Sequence, residues 1–278
     1  MTTLSSTSTL QLSDGNAIPM LGLGVYQMDE AECLNAITHA LEIGLRHIDT
    51  AKGYRNEEAV GAALKKASVP REEVFITSKI MPFTPDPKTT RAEVEDSLQK
   101  LGTEVIDLYL IHWPVREGTE EMWETLCTLR DEGKIRSTGV SNFTTRRLEK
   151  QFLPLVSGSP VVNQFECHVF LAREERVKVQ REKGIVPVAH TPLAQAKYLD
   201  DSVLMRIAQH HGKTTAQVML RWLLQREIVV IPKSSNPKRI EENTDLFDFE
   251  LQPEEMREIA ALDRSEELVT WRPEDDWF

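Results

Sequence analysis

The chain has 278 residues, 40% of them hydrophobic, and carries a formal net charge of −11. That length suits one large α/β domain, and the acidic balance argues against general nucleic-acid binding and against docking on anionic lipid. No segment approaches the roughly 18 consecutive apolar residues of a membrane span, and the Ser/Thr-rich start lacks a basic and an apolar secretion region, so a soluble cytoplasmic protein is expected.

In chain order, residues 10–12 and 17–19 flank Asp14-Gly15-Asn16. This reads as a small hairpin able to plug the N-terminal end of a barrel. A weak strand over residues 22–26 follows. Asp29-Glu30-Ala31-Glu32 has the form of a capping box, with Leu34, Ile37 and Leu41 on one face before Gly44 stops the helix. Residues 47–50 form a second weak strand and residues 74–77 a stronger one. Thr90 to Glu93 predicts another capping box, leading to Val94, Leu98 and Leu101, with Gly102 as the stop. A strand over 106–111 precedes an apolar stripe of Trp123, Leu126 and Leu129 that runs out at Gly133. Further strands are expected at 138–140, 161–164, 186–189 and 228–231. No Pro/Gly/Ser linker divides the chain, so residues 1–278 are expected to form a single domain.

Short apolar runs separated by helices favour a parallel sheet buried on both faces. About eight such runs suffice to close a (β/α)8 barrel, with an open doubly wound sheet as the alternative. The runs end at Tyr26, Asp49, Lys79, His112, Ser141, Gln164, His190 and Lys233. In a barrel, the carboxyl ends of strands converge on one mouth, where active sites are built. The three cysteines (Cys33, Cys127 and Cys167) are odd in number and lack metal-like spacing. Buried thiols are expected, with neither a disulfide framework nor a metal site.

A lysine emerging from a buried strand needs a partner, and Asp49 is the obvious one for Lys79. A lysine beside a tyrosine favours the phenolate and lowers the tyrosine pKa from about 10, which makes a general acid. A neutral His112 nearby would donate to a carbonyl oxygen gaining negative charge. The segment Lys233-Ser234-Ser235-Asn236-Pro237-Lys238-Arg239 reads as a helix start rich in cations, suited to phosphate. Gly22-Leu23-Gly24 lacks the third glycine of a dinucleotide fingerprint.

Asp49-Thr50-Ala51-Lys52-Gly53-Tyr54-Arg55-Asn56-Glu57 resembles the aldo-keto reductase signature. So do Ile76–Lys79, Leu110–Pro114, Gly139–Phe143, Asn163-Gln164, and Ile231–Ser234 with Arg239, Glu242 and Asn243, in the family's order. The resemblance implies a (β/α)8 barrel that reduces small carbonyl compounds with NADP(H). It implies Tyr54 as proton donor, Lys79 and Asp49 as its tuning pair, and His112 as the group orienting the carbonyl. It implies Ser141, Asn142 and Gln164 on the nicotinamide carboxamide, and His190, Thr191, Pro192 and Leu193 along the cofactor. Lys233, Ser234, Ser235, Asn236 and Arg239 would hold the 2′-phosphate, with Glu242 and Asn243 facing adenine. Tyr26, Met81, Trp113, Trp271 and Trp277 would line the substrate pocket, under a tail of about residues 264–278 folded over the mouth.

The sequence departs from the family pattern in three places. His190 stands where an aromatic residue usually stacks on nicotinamide, which predicts cofactor binding that weakens or changes between about pH 6 and 7. Met81-Pro82-Phe83 replaces a run that often carries Trp, and Glu166-Cys167-His168-Val169 replaces Glu-Tyr-His-Pro. Short loops resemble compact members acting on keto-sugars, 2-oxoaldehydes and simple aldehydes, usually as monomers. A cofactor-binding regulatory subunit with the reductase fold, or preferential alcohol oxidation, is the alternative.

Overall fold

The computed structural model describes residues 4–81 and 85–270. The hairpin is β1 (Thr9–Gln11) and β2 (Ala17–Pro19), antiparallel, turning at Gly15 with φ of 91°. Then β3 (Leu23–Gly24), α1 (Glu30–Glu42), β4 (His47–Asp49), α2 (Glu57–Lys66), β5 (Phe75–Ile80) and α3 (Pro87–Leu101) alternate. They are followed by β6 (Ile106–Ile111), α4 (Thr119–Asp131), β7 (Ile135–Ser141), a π-helical turn (Arg147–Phe152) and β8 (Val162–Glu166). The last elements are α5 (Glu174–Glu182), β9 (Val186–His190), α6 (Ser202–His211), α7 (Thr215–Gln225), β10 (Val229–Val230), α8 (Pro237–Thr244) and α9 (Pro253–Ala260).

Among the described residues, eight strands from β3 to β10 form one parallel sheet in sequential order. Parallel bridges Leu21–Val230 and Gly24–Lys233 join its two edges. Backbone hydrogen bonds from Gly22 N to the Val230 carbonyl (2.9 Å) and from Val230 N to the Met20 carbonyl (2.9 Å) run along that seam. The sheet therefore closes into a barrel, and the open doubly wound alternative is excluded. At the seam a Cβ on Gly24 would stand 2.9 Å from the Ile231 carbonyl oxygen, so only glycine lets the two edges come this close.

The plug and the pleat explain where the apolar residues go. Leu12 and Ile18 of the hairpin pack with Leu108, Leu110, Val162, Val188 and Val229, filling the barrel interior. Alternate residues such as Tyr109, Ile111, Val140 and Phe165 turn outward to the helices. Asp29 caps α1 with the reciprocal Glu32 contact read from sequence. The box at Thr90 does not form. Asp86 caps α3 instead, accepting from Lys88 N and Thr89 N with Pro87 at the first helical position, and Thr90 lies buried inside the helix. The helix ends as expected at Gly102, with φ of 65°.

Candidate active site

The inward face of the strand ends builds a buried polar cluster. Lys79, fully buried at the end of β5, donates to Asp49 Oδ1 at 2.6 Å and to the Thr50 carbonyl at 2.8 Å. Its Nζ also lies 3.5 Å from Tyr54 Oη. The second Asp49 oxygen accepts from Gln164 Nε2 at 2.8 Å, so both oxygens of the carboxylate are engaged. Burial lowers the Lys79 pKa, and the attraction of Asp49 opposes that fall. Each member of the pair is hydrogen-bonded on the spot, which offsets the cost of burying it.

Tyr54 ends a short 3-10 turn, Lys52–Tyr54, closed by Arg55 in the left-handed region. Its ring lies 4.9 Å from that of Tyr26 and 5.6 Å from that of His112. The expected fall in the Tyr54 pKa does not occur. Enclosure by these groups pushes it well above the ordinary value, and the Asp49 carboxylate pushes the same way. Lys79 is too fully paired with Asp49 to reverse this. Burial, with Lys79 and His190 adding to it, drives the His112 pKa well below its ordinary range, so the ring is neutral at pH 7.

Around His112 the packing is close. Met81 Sδ lies 3.1 Å from Nδ1, and the Asn142 amide donates to the His112 carbonyl at 3.0 Å. Gly53 permits the Met81 position, since a Cβ there would stand 2.8 Å from the sulfur. Asn142, with φ of 65°, also donates to Ser141 Oγ at 3.1 Å and pairs its Oδ1 with His190 Nε2 at 2.9 Å. His190 Nδ1 meets Thr191 Oγ1 at 3.1 Å. Burial holds the His190 pKa down to about 4, so the ring is neutral throughout pH 6–7 and the pH dependence expected there has no titrating group in His190.

A cavity of about 230 Å³ opens beside this cluster, lined by Trp113, Asn142, Glu166, Arg173, His190 and Val269. A larger hollow of about 470 Å³ between α3 and α4 carries none of the converging polar groups. The cavity wall includes a strap that the sequence indicated only as a tail over the mouth. Glu166, 5% exposed at the inward end of β8, accepts from Leu268 N at 2.8 Å and from Val269 N at 3.1 Å. Arg173 pairs with Glu267, and the Phe170 carbonyl accepts from Arg264 N and Glu266 N. Trp271 and Trp277 lie outside the described residues, as do Pro82 and Phe83.

The cationic segment forms the start of α8. Asn236 caps it, accepting from Lys238 N at 3.0 Å, and Ser234 Oγ is hydrogen-bonded to the Asn236 backbone. Lys233, Lys238 and Arg239 are exposed there. Glu242 accepts from Thr214 Oγ1 at 2.8 Å, and Asn243 is buried. Pro192 and Leu193 lead into a turn where Ala194, Gln195 and Ala196 all have positive φ. These donors suit a nicotinamide dinucleotide: hydroxyl and amide groups cluster at the mouth, and cations gather at a helix start some way along its rim.

The model of the aldo/keto reductase family matches residues 19–264. A methylglyoxal reductase of Escherichia coli K12 is 42% identical, with 99% of each chain covered. A glyoxal reductase of Bacillus subtilis is 43% identical, with 94% of each chain covered. An aldo/keto reductase structure from Brucella melitensis superposes with a TM-score of 0.89 at 40% identity, covering 92% of this chain and all of that one. The chain belongs to the aldo/keto reductase family and is an oxidoreductase with the (β/α)8 barrel fold.

Proposed function

We propose that this enzyme reduces small aldehydes and 2-oxoaldehydes to alcohols with NADPH, using Tyr54 as the proton donor. The observation that carries the reading is the buried Asp49–Lys79 pair with Nζ at 3.5 Å from Tyr54 Oη. Tyr54 holds its proton at neutral pH and delivers it to the carbonyl oxygen; the phenolate left behind faces the Lys79 ammonium. Neutral His112 donates a hydrogen bond to the same oxygen and orients it. Bound NADPH would supply the hydride. Ser141, Asn142 and Gln164 would hold its carboxamide, His190 with Thr191, Pro192 and Leu193 would lie along it, and Lys233, Ser234, Ser235, Asn236 and Arg239 would hold its 2′-phosphate. Glu242 and Asn243 would face adenine. Tyr26, Met81 and Trp113 would bound the carbonyl substrate. The substrate class follows the similarity to glyoxal and methylglyoxal reductases.

The test is NADPH oxidation followed by absorbance with methylglyoxal, glyoxal and a keto-sugar. Tyr54→Phe is expected to lose turnover by about a thousandfold, in line with removal of a positioned acid, while still binding NADPH. Undiminished turnover would overturn the mechanism. Arg239→Ala is expected to weaken NADPH binding far more than NADH binding, and equal weakening would sink the phosphate assignment.

A further inference from the structure

On the outside of the barrel, far along the chain from the catalytic strand ends, two adjacent histidines at the last turn of α6 face one carboxylate in the first turn of α9. His210 Nδ1 lies 2.8 Å from Glu255 Oε1, and His211 Nε2 lies 2.8 Å from Glu255 Oε2. The ligand atoms of all three residues lie within 4.8 Å of one another. Glu255 is 7% exposed, whereas the His210 side chain is 67% exposed, so a buried anion has an open approach from solvent.

We propose that His210, His211 and Glu255 form a binding site for a divalent transition-metal ion of the zinc type. Two imidazoles and a carboxylate are a borderline-soft donor set, suited to such ions rather than to magnesium or calcium, which take oxygen ligands. The spacing is near what an ion needs. Donors 2.0–2.1 Å from a tetrahedral ion stand about 3.3 Å apart, so each nitrogen–oxygen separation, 2.8 Å here, opens by about half an ångström as the ion takes the place of the bridging proton. The separation that must shorten is between the two ring nitrogens, which lie within 4.8 Å of each other. The exposed His210 ring is free to turn and close it. The carboxylate is already aimed, because Glu255 Oε2 accepts from Gln252 N at 2.8 Å. His211 is steadied against the Phe249 ring at 5.4 Å. Such supporting contacts orient metal ligands before the ion arrives. The ion would replace the imidazole protons that now bridge to Glu255 and would pin α6 to α9. Through α9 it would brace the start of the strap that reaches the barrel mouth.

The experiment titrates zinc ion alone into the untagged full chain by calorimetry. One saturable site per chain is expected, with a rise in melting temperature of about 5 °C at a hundredfold excess over the dissociation constant. His210→Ala is expected to weaken binding at least tenfold and cut the thermal shift by about half or more at the same zinc concentration, while leaving the carbonyl reductase rate unchanged. His210→Gln, which keeps a polar side chain of similar reach, is expected to do the same. Absence of saturable binding in the unaltered protein, or unweakened binding in both variants, would overturn the site.

Discussion

At the scale of single residues, burial decides more than charge. The lysine beside Tyr54 suggested a lowered tyrosine pKa, yet Lys79 is committed to Asp49, and enclosure wins. The same holds for the histidines. Burial holds His47, 1% exposed inside the barrel beside Thr77, down to about 4, as it does His190. Between the ordinary value of 6.5 and about 4, the unfolded chain takes up protons that the folded chain refuses, so stability is full above pH 6.5 and falls as pH drops to 4. For His47 alone the loss is on the order of 3 kcal/mol at the acid end. Urea midpoints measured from pH 7.5 down to 4.5 should fall steadily; a flat profile would count against neutral burial. The dependence thus belongs to folding below pH 6.5, and His190 supplies no titration between pH 6 and 7. Gly53 provides a second residue-level test. Gly53→Ala should displace the Met81 sulfur from His112, cutting turnover several-fold with little change in melting temperature, because the flexible thioether end moves rather than backbone.

At the scale of elements, local signals were legible and long-range ones were not. The Asp29–Glu32 box forms because both halves lie within one turn. At α3 two caps competed within five residues, and Asp86 prevailed because Pro87 is preorganised for the first helical position and one carboxylate takes two backbone donors. The strap is different in kind. Glu166 was visible only as part of a variant motif, since its partners lie 102 and 103 residues away. The His210–Glu255 pairing escaped for the same reason. Glu166→Gln tests the strap. The amide keeps the size but loses the charge and turns a donor toward one of the two N–H groups. It should destabilise this contact by about 1–3 kcal/mol. Hydrogen exchange at Leu268 and Val269 should quicken, and KM for bulky carbonyls should change more than kcat. Unchanged exchange would mean that the Arg173–Glu267 pair and the Phe170 contacts hold the strap without Glu166.

At the scale of the whole molecule, the strand ends were readable because each is a local apolar run finishing on a polar residue, and the barrel then brings those ends together. Asp49, Lys79 and His112 meet around Tyr54 for that topological reason. The closing seam could not be read, since β3 and β10 are two-residue strands and the bridges beyond them depend on pairing across about 200 residues of chain. That seam joins fold to function. Gly24 pairs with Lys233, the first of the cations proposed to hold phosphate, and a Cβ at position 24 would press on the Ile231 carbonyl at 2.9 Å. A backbone oxygen in a closed sheet cannot swing aside as a side-chain tip does. Gly24→Ala should therefore shift the seam strands, costing about 1–3 kcal/mol as overpacking does, and move Lys233 with them. Ile18→Ala at the opposite end is the control. It removes a fully buried plug side chain, at a cost of about 2–5 kcal/mol, far from the mouth. If the seam positions the phosphate cations, Gly24→Ala weakens NADPH binding at temperatures where both variants are folded, and Ile18→Ala, though less stable, does not. Equal NADPH affinity in the two variants would separate barrel closure from cofactor binding.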